Sequence, residues 1–362
     1  MNERMRSSRR PLRPAGPAFF LSLAFSLAAV LGLFHPENAP AARKHRIKFA
    51  TLAPEGSTWM NVMRDFARAV KEKTNGEVRF RIYPGGVQGD EKDVVRKIRI
   101  GQIHSAGFTG VGLGQILPQV RVLELPFLFF RDAEVDFVHE RVDARLARAF
   151  EEKGFVLFGW AEVGLVHLFS KKPIRTKGDL KGLKLWAWEG DPLAKAYFEA
   201  LQVTPVSLSV IDVLTSLQTG LIDTVYASPL GAIALQWFTK VKYMTALPVT
   251  NATGAIVVSK KIFDRLTPDQ QRVLKAEGRR HFDRLIRLSR EDNRKSIQEI
   301  RKEGVEVLPM PPADDLQEFI DVGRSTWERL SGRLYPPDLL AEVLDALKEY
   351  RKTHPLPGGG KN

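Results

Sequence analysis

The stretch from Asp179 to Pro229, DLKGLKLWAWEGDPLAKAYFEALQVTPVSLSVIDVLTSLQTGLIDTVYASP, constrains the fold more than any other part of the chain. Residues 183–188 (LKLWAW) are apolar and aromatic; Gly190, Asp191 and Pro192 then break the strand and open a helix with Leu193, Ala196, Tyr197 and Leu201 on one face. VTPVSL reads as the next strand, and a second short helix from Asp212 to Gln218 stops at Gly220. Strand and helix alternating at this short spacing predict an α/β fold with a mostly parallel sheet, whose ligands lie beyond the carboxyl ends of the strands. Trp186 and Trp188 stand near such an end, so a ligand site with aromatic walls is expected there.

The remaining chain continues the pattern. Ile47 to Leu52 forms a first strand, and Ser57 caps a helix with Trp59, Val62, Met63, Phe66 and Val70 at helical spacing. Val78, Phe80 and Ile82 alternate with Arg79 and Arg81 as in a strand with one wet face, followed by a glycine turn at Gly85-Gly86 and a helix to Gly101. Residues 155–161 and 165–170 read as two strands carrying the chain into a second lobe, and 245–259 as its return. Thr267-Pro268-Asp269-Gln270 is a helix start with cap, first-turn proline and capping box. Unbroken to Glu303, that helix would extend about 54 Å, with Gly278 as the place where it could stop. VEVLPM (305–310) suits an edge strand, and helices at about 313–331 and 336–352 are expected to close the second lobe.

Six segments in order, FATLAPEGSTW (49–59), EKTNGEVRFRIYPGGVQGDEKDVVRKIRIGQIHSA (72–106), LELPFLFFRDAE (123–134), DLKGLKLW (179–186), LQTGLIDT (217–224) and VVSKKIFDRLTPDQQ (257–271), carry a wider likeness. Over roughly residues 45–335 the chain resembles the substrate-binding proteins of tripartite ATP-independent periplasmic (TRAP) transporters, of the dicarboxylate-binding type. The resemblance implies a two-lobed α/β periplasmic binding protein fold with mixed sheets, hinge strands and a long lobe-spanning helix. Lobe I would comprise 45–162 plus about 250–285, lobe II 163–249 plus about 286–352, and 353–362 a disordered tail. The implied function is capture of a small organic ligand in the interlobe cleft and delivery to an ion-gradient-driven permease with a small and a large membrane subunit. A receptor feeding a membrane sensor would use the same fold.

The departures from the family pattern bear on the ligand. Family members usually pair a strand-end arginine with a substrate carboxylate, but GLKLW here puts Trp186 where a GLKIR-like sequence is common. A second arginine, in a GFRH-like segment, corresponds to Val166 in GLVHL, and TVYASP (224–229) replaces a frequent glutamate–asparagine pair. Tyr226 and Ser228 still offer hydroxyls. Two ligand classes stay open: an organic acid held by backbone N–H groups or a displaced arginine such as Arg175, and an aromatic, apolar or lipid-like molecule walled by Trp160, Trp186, Trp188, Tyr226 and Phe108. Other candidates have structural alternatives. Glu55 touches a ligand or complements a helix dipole, and Gln88 and Glu91 face the cleft or decorate a turn. Glu162 and Glu189 favour a polar or cationic part of a ligand, whereas His167 bonds across the cleft or sits satisfied in the core.

The amino terminus places Arg4, Arg6, Arg9, Arg10 and Arg13 before the apolar run 18–34 and an Ala39-Pro40-Ala41 site, so residues 1–42 read as a cleaved export signal of Sec or twin-arginine type into the periplasm. A retained anchor is the alternative, the 17-residue run being short for a bilayer span. The chain has no cysteine, which excludes disulfides and a lipidated cysteine. Net charge is +13, of which the signal carries +3. Basic and acidic residues interleave over helix faces such as 279–304, arguing against nucleic-acid binding. HExxH, G-x-S-x-G and P-loop motifs are missing, GFTGVGLG (107–114) lacks the dinucleotide glycine spacing, and the histidines show no i, i+4 pair. No enzyme activity, cofactor or metal is therefore expected.

Overall fold

The computed structural model describes residues 44–355; the expected export signal and the last seven residues of the tail lie outside the described residues. The first half builds β1 (His45–Thr51), α1 (Thr58–Lys73), β2 (Val78–Tyr83), α2 (Glu91–Arg99), β3 (Ser105–Thr109), α3 (Gly110–Ile116), a 3₁₀ turn at Pro118–Glu124 and α4 (Asp132–Glu152). β1 lies between β2 and β3 and pairs with both in parallel. Ser57 caps α1 by accepting from the Met60 N–H, and the apolar stripe Met60, Val62, Met63, Phe66 and Val70 is buried.

β4 (Phe155–Ser170) then crosses the molecule as one 16-residue strand. The sequence suggests two strands here. Instead the register against β9 (Thr250–Ser259) shifts between Leu157 and Gly159 and again between Glu162 and Gly164, so bulges bend the strand without ending it. β9 runs antiparallel beside β4 from Ser259 to Thr250 and pairs on its other edge with β3. These two long strands join the β1–β3 side to a second side.

That second side contains β5 (Trp186–Trp188), α5 (Pro192–Ala200), β6 (Val206–Leu208), α6 (Val213–Thr219), β7 (Thr224–Ala227), α7 (Pro229–Ala234) and β8 (Tyr243–Thr245). After β9 come α8 (Lys260–Phe263), α9 (Pro268–Lys302), β10 (Glu306–Leu308), α10 (Ala313–Leu330) and α11 (Pro337–Thr353). β7 and β8 pair antiparallel with the far end of β4, and β10 adds a parallel edge strand to β8. The mostly parallel sheet expected for this region is reduced to the two short strands β5 and β6. Three residues each leave no length for a wider ladder, and β7 is drawn instead onto the crossing strand.

α9 is unbroken over 35 residues, about 52 Å, opened by the Thr267–Gln270 capping box. Gly278 does not interrupt it. A Cβ there would sit 2.5 Å from the Phe158 carbonyl oxygen, so the glycine serves the close approach of the helix to β4. α9 packs on α1 at one end of its course and on α7 further along. The two carboxyl-terminal helices part company: α10 packs on α5 through Phe319, whereas α11, expected to close the second lobe, buries Leu339, Val343 and Leu347 in the core with α4 and the β3 side. Its arginine Arg351 fixes this position by bonding Glu134 and the Leu128 carbonyl.

Candidate functional site

A cavity of about 240 Å³ lies between the two sides of the fold, over the crossing strands. The β1–α1 and β3–α3 turns and the 3₁₀ turn border it on one side; β5, α5, Val210 and the β7–α7 junction border it on the other. Val163, Val166, Thr250 and Ala252 of β4 and β9 line its base.

One wall is aromatic. Trp186 is 1% exposed and stacks on Tyr226 with ring centroids 4.8 Å apart, while Trp237 meets it edge-on at 5.2 Å and Trp188 lies at 5.9 Å. Their polar atoms are used locally: the Trp186 indole N–H donates to the Leu208 carbonyl, and the Tyr226 hydroxyl accepts from the Trp188 backbone N–H. What remains for a ligand is ring surface. Burial raises both Tyr226 and its neighbour Tyr197 above the ordinary phenol range, so both stay neutral.

The opposing region is charged. Arg121, on the 3₁₀ turn, donates through Nη2 to Asp191 at 3.0 Å, and its Nε lies 3.0 Å from a Glu124 oxygen without the alignment of a hydrogen bond. Among the described residues, Arg121 is the one arginine or lysine bordering the cavity. Glu124 accepts from the Thr253 N–H with its other oxygen, and Gly110 makes room for it, since a Cβ at that glycine would overlap the carboxylate. Asp191 is also the N-cap of α5, accepting from the Leu193 and Ala194 N–H groups. Burial pushes Glu124 up from the usual 4.5 to about 7, with Asp191 adding to the rise and Arg121 opposing it. Glu91 is likewise raised to about 7 by burial, although it accepts from the Thr109 N–H and hydroxyl and the Gly112 N–H.

Of the residues singled out from sequence, Trp186, Trp188, Tyr226, Ser228, Phe108 and Glu91 border this cavity. Ser228 is occupied as the N-cap of α7, accepting from Gly231. The structure does not bring Glu55, Gln88, Trp160, Glu162 or His167 to it. Glu55 is exposed and bidentate to Arg64, whose hydrogen bonds hold its carboxyl below the usual range. Gln88 accepts from Lys97. The β4 bulge turns Val163 and Val166 inward and leaves Trp160, Glu162 and His167 elsewhere: Trp160 donates to Asp143 against His139, Glu162 pairs with Arg290, and His167 bonds the Thr245 carbonyl. Burial lowers His167 to about 4 and keeps it neutral. Glu189 forms an exposed ion pair with Lys92. Arg175 borders a smaller pocket behind Tyr197 and Phe198.

Arg121, Glu124 and Asp191 escape a reading by motif. The available signal is an Arg–Glu pair at i, i+3 inside the apolar run VRVLEL (120–125), because charges in such a run must be paired where the chain buries them.

Comparison with known proteins fixes the family. The profile of the bacterial extracellular solute-binding protein family 7 (DctP) matches residues 49–332, and the chain belongs to that family. It is 26% identical over 251 residues to the 2,3-diketo-L-gulonate-binding periplasmic protein YiaO of Escherichia coli, covering 68% of this chain and 75% of that one. A TRAP periplasmic solute-binding protein from Sulfitobacter sp. NAS-14.1, solved with bound β-D-galacturonate, is 26% identical and superposes with a TM-score of 0.76 over 85% of this chain and all of that one. The sugar acid binding protein DctPAm of Advenella mimigardefordensis, solved with galactonate, shares the fold with a TM-score of 0.80 at 19% identity, over 85% of this chain and 99% of that one. The fold is thus the two-lobed TRAP binding-protein fold, and the family consists of periplasmic solute receptors. Among the described residues no helix is long and apolar enough to cross a membrane.

Proposed function

We propose that this chain is the periplasmic receptor of a TRAP permease for an organic acid with an apolar body, its carboxylate directed to Arg121 and its ring or hydrocarbon part laid against Trp186, Trp188 and Tyr226. The observation carrying this reading is a buried guanidinium, flanked by Glu124 and Asp191, at one end of a cavity whose other wall is aromatic. Arg121 makes one aligned hydrogen bond, to Asp191, so its fork retains donors for a second carboxylate. Glu124, with its pKa raised to about 7, is substantially protonated at neutral pH and offers a donor beside that anion instead of a repelling charge. The acid class agrees with the ligands named for the relatives, while sugar acids fit this cavity less well because the aromatic wall has few free polar atoms for ring hydroxyls.

Binding stabilises the conformation in which both sides contact the ligand, by its differential affinity for that state. The closed form then delivers its cargo to the small and large membrane subunits, without chemical change to the ligand. The test is to purify the mature protein from its native periplasm and identify the retained molecule by mass spectrometry. An apolar-bodied carboxylate is expected. A sugar acid would overturn the aromatic part of the reading, and a neutral lipid would overturn the role of Arg121. Uptake unchanged on deleting the permease would replace transport by sensing.

A further inference from the structure

Asp90 sits at the N-cap of α2, on the β1–β3 side, and is 3% exposed. Its carboxylate accepts from four donors. One is local, the Glu91 N–H. The other three come from across the cleft: the Trp188 indole N–H, 3.1 Å from both oxygens, the Ser209 hydroxyl, and the Val210 N–H at 3.1 Å. Trp188 also borders the cavity, so one side chain both lines the ligand space and bonds Asp90 through its indole N–H.

We propose that Asp90 is a positioning residue that latches the two sides of the cleft together and fixes the Trp188 ring in the cavity wall. A buried carboxylate is stable only when hydrogen-bonded, and three of these four donors are present only while the sides are together. In the open form the carboxylate regains water, and the Trp188 ring loses the partner that orients it. Other cross-cleft contacts gather at the same rim: Gln115 donates to the Gly190 carbonyl, Lys92 pairs with Glu189, and Ile211 lies against Gly86. None of these three buries a charge with several donors as Asp90 does; the buried Arg121–Asp191 pair is the second charged contact across the cleft, at the cavity wall. The inference is independent of which ligand the cavity takes.

The chain has no cysteine, so two introduced cysteines accept spin labels without background. Ile100→Cys on the α2 side and Gln218→Cys on the α6 side are exposed positions flanking the rim. Distance distributions measured on the ligand-free protein should contain a closed population. Asp90→Ala should shift the ratio of closed to open on the order of tenfold towards open, the loss expected when hydrogen bonds to a charged group disappear. Ser209→Ala and Trp188→Phe, each removing one donor, should give smaller shifts, and combining either with Asp90→Ala should add little. A purely structural cap would lower thermal stability while leaving the distances unchanged, and that result overturns the proposal. So does a wild-type distribution without a closed population. If Asp90→Ala fails to fold, Ser209→Ala alone decides by the same distances.

Discussion

Among the described residues, Arg121 is buried and Arg290 half-buried among carboxylates, and the contrast between them separates architecture from function. Arg290 of α9 is bidentate to Asp136 and donates through Nε and Nη2 to Glu162, tying the long helix to α4 and the crossing strand. Its hydrogen bonds are aligned and its partners lie away from the cavity. Arg121 makes one aligned hydrogen bond, faces a misaligned Glu124, and borders the cavity. A saturated guanidinium fixes a fold, whereas one with spare donors at a cavity wall is placed to meet a ligand.

The largest expected effect breaks the saturated network. Arg290→Ala leaves Glu162 buried without its cation and should cost about 3–5 kcal/mol in denaturant unfolding, with ligand affinity changed only slightly. Equal loss of affinity and stability would show that the two networks are one. At the other arginine affinity falls along with stability, since Asp191 also loses its cation. Arg121→Met fills a similar volume but removes the anion contact, so titration calorimetry with the retained acid should read a loss of about 100-fold. Unchanged affinity would remove Arg121 from the site.

Trp186→Phe sharpens the aromatic side of the comparison. It keeps a ring but shrinks the surface stacked on Tyr226, and affinity should fall roughly two- to tenfold, the worth of an aromatic contact of about 0.5–1.5 kcal/mol. The smallest effect is a pH dependence. Glu91 and Glu124 are raised from 4.5 to about 7 in the folded protein, so between these values the unfolded chain releases protons that the folded one keeps. Their contributions to stability are present in full below about 4.5 and are lost as pH rises through about 7. Carboxylate affinity should fall a few-fold over the rise through about 7, as the Glu124 donor becomes a like charge. Glu124→Gln should flatten the affinity profile and remove its share of the stability change, leaving that of Glu91.

Sequence patterns were most informative where the determinants are local. The capping box at Thr267, the Ser57 cap of α1 and the helix stop at Gly220, with φ 75°, depend on residues a few positions apart and appear in the fold as the spacing suggests. Six of the eleven candidate residues border the cavity, aromatic ones foremost, because a strand end rich in tryptophan has few places to go except a core or a cleft. Five do not. The fate of Trp160, Glu162 and His167 turned on the register of β4, where each bulge changes the face a side chain takes, and a bulge leaves no clear mark in the pattern of VLFGWAEVGLVHL.

The amino-acid sequence by itself determined the family, the alternation of strands and helices, and the long capped helix, all readable from neighbours along the chain. Only the tertiary structure decided that α11 docks on α4, that β4 runs through two bulges as one strand, and that Arg121 and Glu124 meet Asp191, 70 residues on from Arg121, at a cavity wall. These outcomes depend on burial and register between distant segments. The energy of a buried charge is set by what the fold places beside it, which the spacing of residues along the chain does not record.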